Sequence, residues 1–142
     1  MRALLDVSML LALFDEEHVL HDRAMAWWRD NEGQGWASCP LTQNGFVRVV
    51  SQPRHERPIA IGVAVDTIRR QIAEPGHEFW PDDLSILVPE AIDHSRLLRP
   101  KQITDIHLLA LAVKHGGRLV TLDRGLTISA VRGARPEHYV VV

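Results

Sequence analysis

The chain has 142 residues, of which 46% are hydrophobic and 24% charged, and its formal net charge is −2. This composition is that of an ordinary globular protein and excludes a disordered one. No apolar run approaches the ~20 residues that span a bilayer, and the apolar start lacks a signal-peptide pattern, so we expect a cytoplasmic protein with no membrane partner. The length predicts one domain over residues 1–142. The single cysteine, Cys39, excludes an internal disulfide, and we interpret it as a small buried residue.

Apolar periodicity and turn residues predict strands that alternate with helices along the chain. The first predicted strand, Arg2–Leu5, is followed by a helix from Ser8 to Phe14. This alternation indicates an α/β fold with a central, mostly parallel sheet. The other predicted elements are a helix within Glu17–Asn31, a strand at Trp36–Ser38, a helix at Leu41–Val50 opened by Pro40, a helix at Ile59–Ile72, a strand at Glu78–Trp80, a helix at Asp105–His115 capped by Thr104, a strand at Arg118–Leu122 and an edge strand at His138–Val142.

Three aspartates occupy positions where ligands gather in such folds. Asp6 and Asp123 each follow an apolar strand, and the carboxyl ends of parallel strands face one crevice. Asp105 lies in the first turn of a nearly all-apolar helix, whose N-terminus we expect near the same sheet end. Each acid alone has an ordinary structural interpretation, as a helix cap or a turn residue. Three together in an apolar crevice repel one another unless a cation neutralises them, and hard oxygen ligands favour Mg²⁺ or Mn²⁺.

Basic residues are concentrated in the same part of the sequence as two of the aspartates. Between His94 and Arg135 lie eight lysines and arginines but only two carboxylates, those of Asp105 and Asp123. A solvated basic surface is the simpler interpretation of charge alone. The candidates for contacts with an RNA backbone are Arg99, Lys101 and Arg124.

Several segments, in this order along nearly the whole chain, resemble the PIN-domain family and specifically the VapC-type toxins of bacterial toxin–antitoxin pairs. The resemblance implies a three-layer α/β/α fold, Mg²⁺-dependent endoribonuclease activity in which Mn²⁺ can substitute, and inhibition by a cognate VapB-like antitoxin. We also expect a homodimer. The segments that carry the resemblance are Leu4–Leu10, Cys39–Val49, Phe79–Asp82, Thr104–Ala112 and Leu119–Asp123.

The resemblance assigns roles to individual residues. Asp6, Asp105 and Asp123 match three of the family's acidic positions and are the expected catalytic and metal-binding residues. Ser8 and Thr121 match positions where a small polar side chain orients a carboxylate or meets phosphate. Many PIN domains have a glutamate where this chain has Gln43, a neutral residue that binds hard cations weakly. Gln43 is therefore expected to support the site without adding charge.

Two other classes of protein also use aspartates at strand ends for phosphoryl chemistry. A haloacid-dehalogenase-type phosphatase needs a second aspartate two residues after the first, where this chain has Ser8. A response-regulator receiver needs two adjacent acids after the first strand, which are also missing. The remaining alternative is a degenerate PIN-like module that binds RNA or a protein partner without cleavage, and the neutral Gln43 keeps this alternative open.

Overall fold

Five short parallel strands form the central sheet in the computed structural model, which describes all 142 residues. The strands pair in the order β3-β2-β1-β4-β5, so the first strand in the sequence is central. All three residues of β1 are buried and apolar, as expected for a parallel strand covered on both faces. The bounds are β1 Ala3–Leu5, β2 Trp36–Ser38, β3 His77–Phe79, β4 Arg118–Thr121 and β5 Tyr139–Val141.

Five α-helices cover the two faces of this sheet. The first four contribute to one core, together with sheet residues such as Leu5 and Val120. The fifth helix packs on the opposite face against Leu4 and Leu119. The predicted three-layer α/β/α architecture is therefore confirmed. The helices are α1 Val7–Phe14, α2 His21–Asn31, α3 Pro40–Val50, α4 Ile61–Ile72 and α5 Ile103–Lys114, and none of them has the length and apolar composition needed to cross a membrane.

Helix α5 and its return to the sheet show how the sequence determines the local structure. Six of its residues are buried, because its apolar side chains lie between the sheet and the loops that follow β3 and β4. Gly116 ends the helix with a positive φ of 67°, the conformation that glycine adopts at a helix C-terminus. At Gly117 an added Cβ would lie 2.6 Å from the backbone oxygen of Arg2, so only glycine permits this approach to β1.

The predicted elements are all present, with differences at their ends. The predicted N-cap Thr104 is wrong: α5 begins earlier, at Ile103, and Gln102 holds the cap position without a side-chain cap bond. Helix α2 begins at His21, because the preceding residues form a turn in which Asp15 accepts the amide of Glu17. Cys39 is a free, buried cysteine, as predicted.

The direction in which successive strands are added to the sheet reverses between β1 and β4, which are parallel neighbours. From β1 the chain runs outward to β2 and β3 beneath α1–α4, then returns through α5 on the opposite face to β4, the other neighbour of β1. In parallel α/β sheets, ligands bind beyond the strand ends at such a switch point. The residues directly after β1 and β4 lie at this point, where such a fold binds its ligands.

Candidate active site

Asp6 follows β1 directly and is the most buried of the three predicted acids, with 4% of its surface exposed. Its Oδ1 atom accepts the amide of Met9 at 2.9 Å and so caps α1. The same atom accepts the hydroxyl of Ser8 at 2.6 Å. Burial raises the pKa of Asp6 to about 6, which the hydrogen bonds from Ser8, Thr121 and Met9 oppose and the charge of Asp123 reinforces. The cap is a structural role, but it leaves a carboxylate with a raised pKa at the switch point.

Ser8 and Thr121 connect Asp6 to the chain that follows β4. The Ser8 hydroxyl oxygen accepts the amide of Leu122 at 3.0 Å and lies 3.4 Å from the Thr121 hydroxyl. Thr121 in turn accepts the amide of Asp123 at 2.9 Å. These bonds hold the ends of β1 and β4 side by side, so both residues lie where the sequence analysis expected them.

Asp105 and Asp123 line one pocket on this side of the sheet. Asp105 is half-buried in the first turn of α5, where the helix dipole favours a negative charge. Its pKa is nevertheless raised, first by burial and second by the charge of Asp123. Asp123 is exposed. The charge of Asp123 therefore acts on both other aspartates, which places the three predicted acids in one electrostatic neighbourhood.

The pocket has a volume of about 280 Å³ and a mostly polar lining. All three predicted RNA-backbone residues lie in it, beside two of the predicted acids. Asp6 lies behind the lining rather than in it. The lining residues are Arg99, Lys101, Gln102, Asp105, Thr121, Asp123, Arg124, Leu126 and Tyr139.

The carboxylate oxygens of the three aspartates are ligands that suit a hard divalent cation. The acids are carboxylates whose repulsion and burial raise the pKa of Asp6 and of Asp105, and a cation relieves both penalties. No three acidic, histidine or cysteine side chains stand close enough together to form a ready-made metal cluster. A cation would therefore draw the carboxylates of Asp6, Asp105 and Asp123 together rather than enter a preformed cage.

Gln43 lies on α3, the helix opened by Pro40, but its side chain makes no hydrogen bond to the three aspartates. Its Nε2 atom donates to the Ser38 hydroxyl at 2.9 Å. The same hydroxyl lies 2.8 Å from Nε2 of His77 on β3. Gln43 does not line the pocket that contains Asp105 and Asp123. The structure thus places Gln43 at the end of β2, the strand next to β1, as part of a polar chain with Ser38 and His77.

Two further acids, Asp82 and Asp83, follow β3 and lie outside this pocket. Asp82 pairs with Nε2 of His107 at 2.6 Å, and Asp83 pairs with His115 at 3.0 Å and with Lys114 at 3.1 Å. None of these residues lines the acidic pocket. They connect the chain after β3 to the outer face of α5.

Three residues of the pocket were not predicted from the sequence: Gln102, Leu126 and Tyr139. Gln102 is 9% exposed, and its amide donates to the backbone oxygen of Gly125. The Tyr139 hydroxyl donates to the backbone oxygen of Asp123 at 2.9 Å. A glutamine before a helix and a lone tyrosine at an edge strand carry no motif. Gln102 stands three residues before Asp105, but this spacing alone does not indicate a contact with the Asp123 loop.

Comparison with known proteins agrees with this fold. The family model described as "PIN domain" matches residues 3–132. Ribonuclease VapC44 of Mycobacterium tuberculosis is 54% identical over 138 residues, which cover 97% of each chain. Ribonuclease VapC39 of the same organism is 39% identical over 135 residues, covering 94% of this chain and 96% of the relative. The crystal structure of Mycobacterium tuberculosis VapC20, described as a sarcin-ricin loop cleaving toxin, superposes with a TM-score of 0.62 at 15% identity, covering 94% of this chain and 99% of that one.

The match over most of the chain and the level of identity define the class of protein. The chain belongs to the PIN-domain family and, within it, to the VapC ribonucleases. The VapC20 structure supports the fold alone, because its sequence identity is low. The sequence-based assignment to this family is therefore confirmed.

Proposed function

We propose that this chain is a metal-dependent endoribonuclease that acts as the toxin of a toxin–antitoxin pair, with one nuclease domain over residues 1–142. The observation that carries the proposal is the pocket at the β1–β4 switch point, where Asp105 and Asp123 face three basic side chains and Asp6 lies directly behind. The carboxylates can hold a metal ion, and the basic side chains can bind an anion. The pocket therefore suits an anionic substrate that also binds the metal. A phosphodiester meets both conditions.

The three aspartates would hold Mg²⁺, or Mn²⁺ in its place. When bound, the ion supplies an activated water and neutralises charge on the phosphate. Ser8 donates to the carboxylate of Asp6 and would orient it for this task, and Thr121 accepts the backbone amide of Asp123. The pKa of Asp6 and of Asp105 is raised because burial and the charge of Asp123 disfavour the ionised carboxylates, and a bound cation would relieve this penalty. The residues that position the metal are thus themselves held by neighbouring side chains.

The basic side chains of the pocket would bind the RNA backbone. Arg99 and Lys101 precede α5, and Arg124 follows Asp123, so they flank the acids on two sides. All three are exposed, and their side chains make no salt bridge within the protein. Basic side chains without an acidic partner attract phosphates from solution, and this attraction weakens as the salt concentration rises. Their positive charge would also offset the repulsion between the carboxylates of the pocket and the RNA phosphates.

A VapB-like antitoxin would inhibit the enzyme by filling the same pocket with a basic residue. An arginine can bind two carboxylates through its planar fork, which would replace the cation and exclude RNA. This partner, the cytoplasmic location and the homodimer are supported by membership of the VapC family.

A cleavage assay on purified protein tests the proposal. The wild type should cleave RNA with Mg²⁺ or Mn²⁺ and lose this activity in EDTA, and Asp6→Asn should be inactive. In cells, expression without an antitoxin should arrest growth, and expression of Asp6→Asn should not. Equal toxicity of the two forms, or cleavage that persists in EDTA, would contradict a metal-dependent nuclease.

The alternative is a module that binds RNA or a protein without cleavage. The hydrogen bond from neutral Gln43 to Ser38, away from the pocket, favours this alternative, because only three acids remain near the site. Such a module would bind RNA with the salt dependence expected of the basic residues. It would cleave no substrate at any metal concentration.

A further inference from the structure

The loop from Leu122 to Leu126 carries Asp123 and Arg124, yet it contains no helix or strand of its own. Asp123 is exposed, and the charges of Asp6 and Asp105 repel it. The Ser8 and Thr121 hydroxyls accept the amides of Leu122 and Asp123, which holds only the start of the loop. The rest of the loop needs further anchors to keep its carboxylate at the pocket.

Two anchors come from elements that are distant in sequence and close in space. The Tyr139 hydroxyl, at the start of β5, donates to the backbone oxygen of Asp123 at 2.9 Å, and the backbone amide of Leu126 lies beside the same phenol oxygen. The Gln102 amide, just before α5, donates to the backbone oxygen of Gly125. Gly125 has a φ of 99°, which lets the loop turn between the two anchors.

We propose that Tyr139 and Gln102 form one clamp that positions the Asp123 loop for cation binding. They are positioning residues: each holds a backbone carbonyl of the loop rather than the reacting atoms. Gln102 reaches the loop from the segment that leads into α5, the helix of Asp105, so the clamp also fixes the spacing between Asp105 and Asp123. This inference rests on the proposed function, because the clamp acts through the metal site.

The burial of the two anchors supports this role. Gln102 is 9% exposed although its side chain is polar, and its amide is bound to the loop. Tyr139 is partly buried and lines the pocket itself. A buried polar side chain that loses its partner is costly, so the hydrogen bonds favour one position of the loop.

Calorimetric titration with Mn²⁺ alone tests the clamp in Tyr139→Phe and Gln102→Met, which keep the size of each side chain and remove its hydrogen bond. Each should bind Mn²⁺ about 10-fold more weakly, the lower bound for loss of a group that orients a metal ligand. Cleavage should recover at saturating Mn²⁺, because the ligands themselves are intact. Hydrogen exchange at the amides of Leu122–Leu126 should accelerate in both variants.

Ser51→Ala is the matched control, since it also removes one side-chain bond to a backbone oxygen, that of Val47, at the far end of α3. Its Mn²⁺ affinity should equal that of the wild type. In the double variant the loss should be smaller than the product of the two single losses, because either loss alone frees the same loop.

The possible failures are distinguishable. Equal Mn²⁺ affinity and equal exchange in wild type and Tyr139→Phe would overturn the clamp while leaving the nuclease intact. Strictly multiplicative losses in the double variant would also overturn it, since they indicate two independent supports. Failure of the wild type to bind Mn²⁺ or cleave RNA would overturn the proposed function and the clamp with it.

Discussion

The Ser8 hydroxyl lies 2.6 Å from Oδ1 of Asp6 and bridges this residue to the chain on the neighbouring strand. The same oxygen accepts the amide of Leu122, which directly precedes Asp123. One side chain thus links the acid after β1 to the segment that carries the acid after β4. The relative position of these two carboxylates depends on hydrogen bonds as well as on the sheet.

Replacing any of the three aspartates by asparagine should reduce RNA cleavage by at least ~100-fold, because each change removes a charge that we propose positions the metal. The measurement is initial cleavage rate at fixed Mg²⁺. Asp66→Asn is the matched control, since Asp66 is exposed on α4 and pairs only with Arg69. Near-wild-type cleavage by Asp105→Asn would contradict the three-acid site.

The stability of the metal-free protein should fall as pH rises from about 4 to about 6, relative to Asp6→Asn. The pKa of Asp6 is raised from 3.8 in the unfolded reference to about 6, so the folded protein binds this proton more tightly and loses stability as it ionises. The full loss above pH 6 is roughly 3 kcal/mol at 1.36 kcal/mol per pKa unit.

Denaturant unfolding of both proteins across this pH range measures the effect. Three other carboxyls have lowered pKa values, which make the stability rise with pH. These carboxyls are common to both proteins, so their effects cancel in the difference. They are Asp15, Asp83 and Asp93. Saturating Mn²⁺ should abolish the difference in slope. A pH-independent difference would mean that the Asp6 carboxyl is not destabilised by burial.

Gln43→Glu should tighten divalent binding and lower the metal concentration needed for cleavage, because it adds a carboxylate near the end of β2. Without metal it should destabilise the protein, since it adds like charge and loses the bond that Nε2 donates to Ser38. Gln43→Ala is the companion variant and should cost much less activity than any Asp→Asn change. Unchanged metal affinity in Gln43→Glu would show that residue 43 serves the Ser38–His77 chain alone.

RNA affinity should fall steeply with salt, by roughly 0.7 log units per log unit of salt for each phosphate neutralised. Substituting Arg99, Lys101 or Arg124 by alanine should reduce this slope by about one such increment. Binding is measured in EDTA so that the substrate stays intact. Arg23→Ala, an exposed change on α2, should leave the slope unchanged. A salt-independent affinity would exclude these residues as backbone contacts.

The sequence predicted the parts of the fold that local chemistry determines. The buried run before Asp6 and the apolar helix after Asp105 specify β1 and α5, because their hydrophobic patterns allow few alternatives. Element ends were less predictable. Thr104 resembles a cap, but tertiary packing extends α5 to Ile103 and leaves this residue inside the first turn.

The site was predictable where it depends on strand ends and not where it depends on packing between distant segments. Asp6 and Asp123 follow strands, so the rule for parallel sheets placed them together. Nothing local indicates that Tyr139 and Gln102 meet the Asp123 loop, since the contacts require β5 and the approach to α5 to be in place. The side-chain direction of Gln43, toward Ser38, is likewise a product of packing.

The central position of β1 has a consequence for the order in which the protein is completed. Its neighbour β4 is synthesised more than a hundred residues later, and the loop with Asp123 comes after that. No amino-terminal fragment that stops before this loop contains all three carboxylates, so a growing chain has only part of the pocket until its last quarter emerges. Pairing strands so far apart in sequence also slows folding. Under the proposed function, a nascent chain is therefore inactive, and open to an inhibitor, until this loop has emerged.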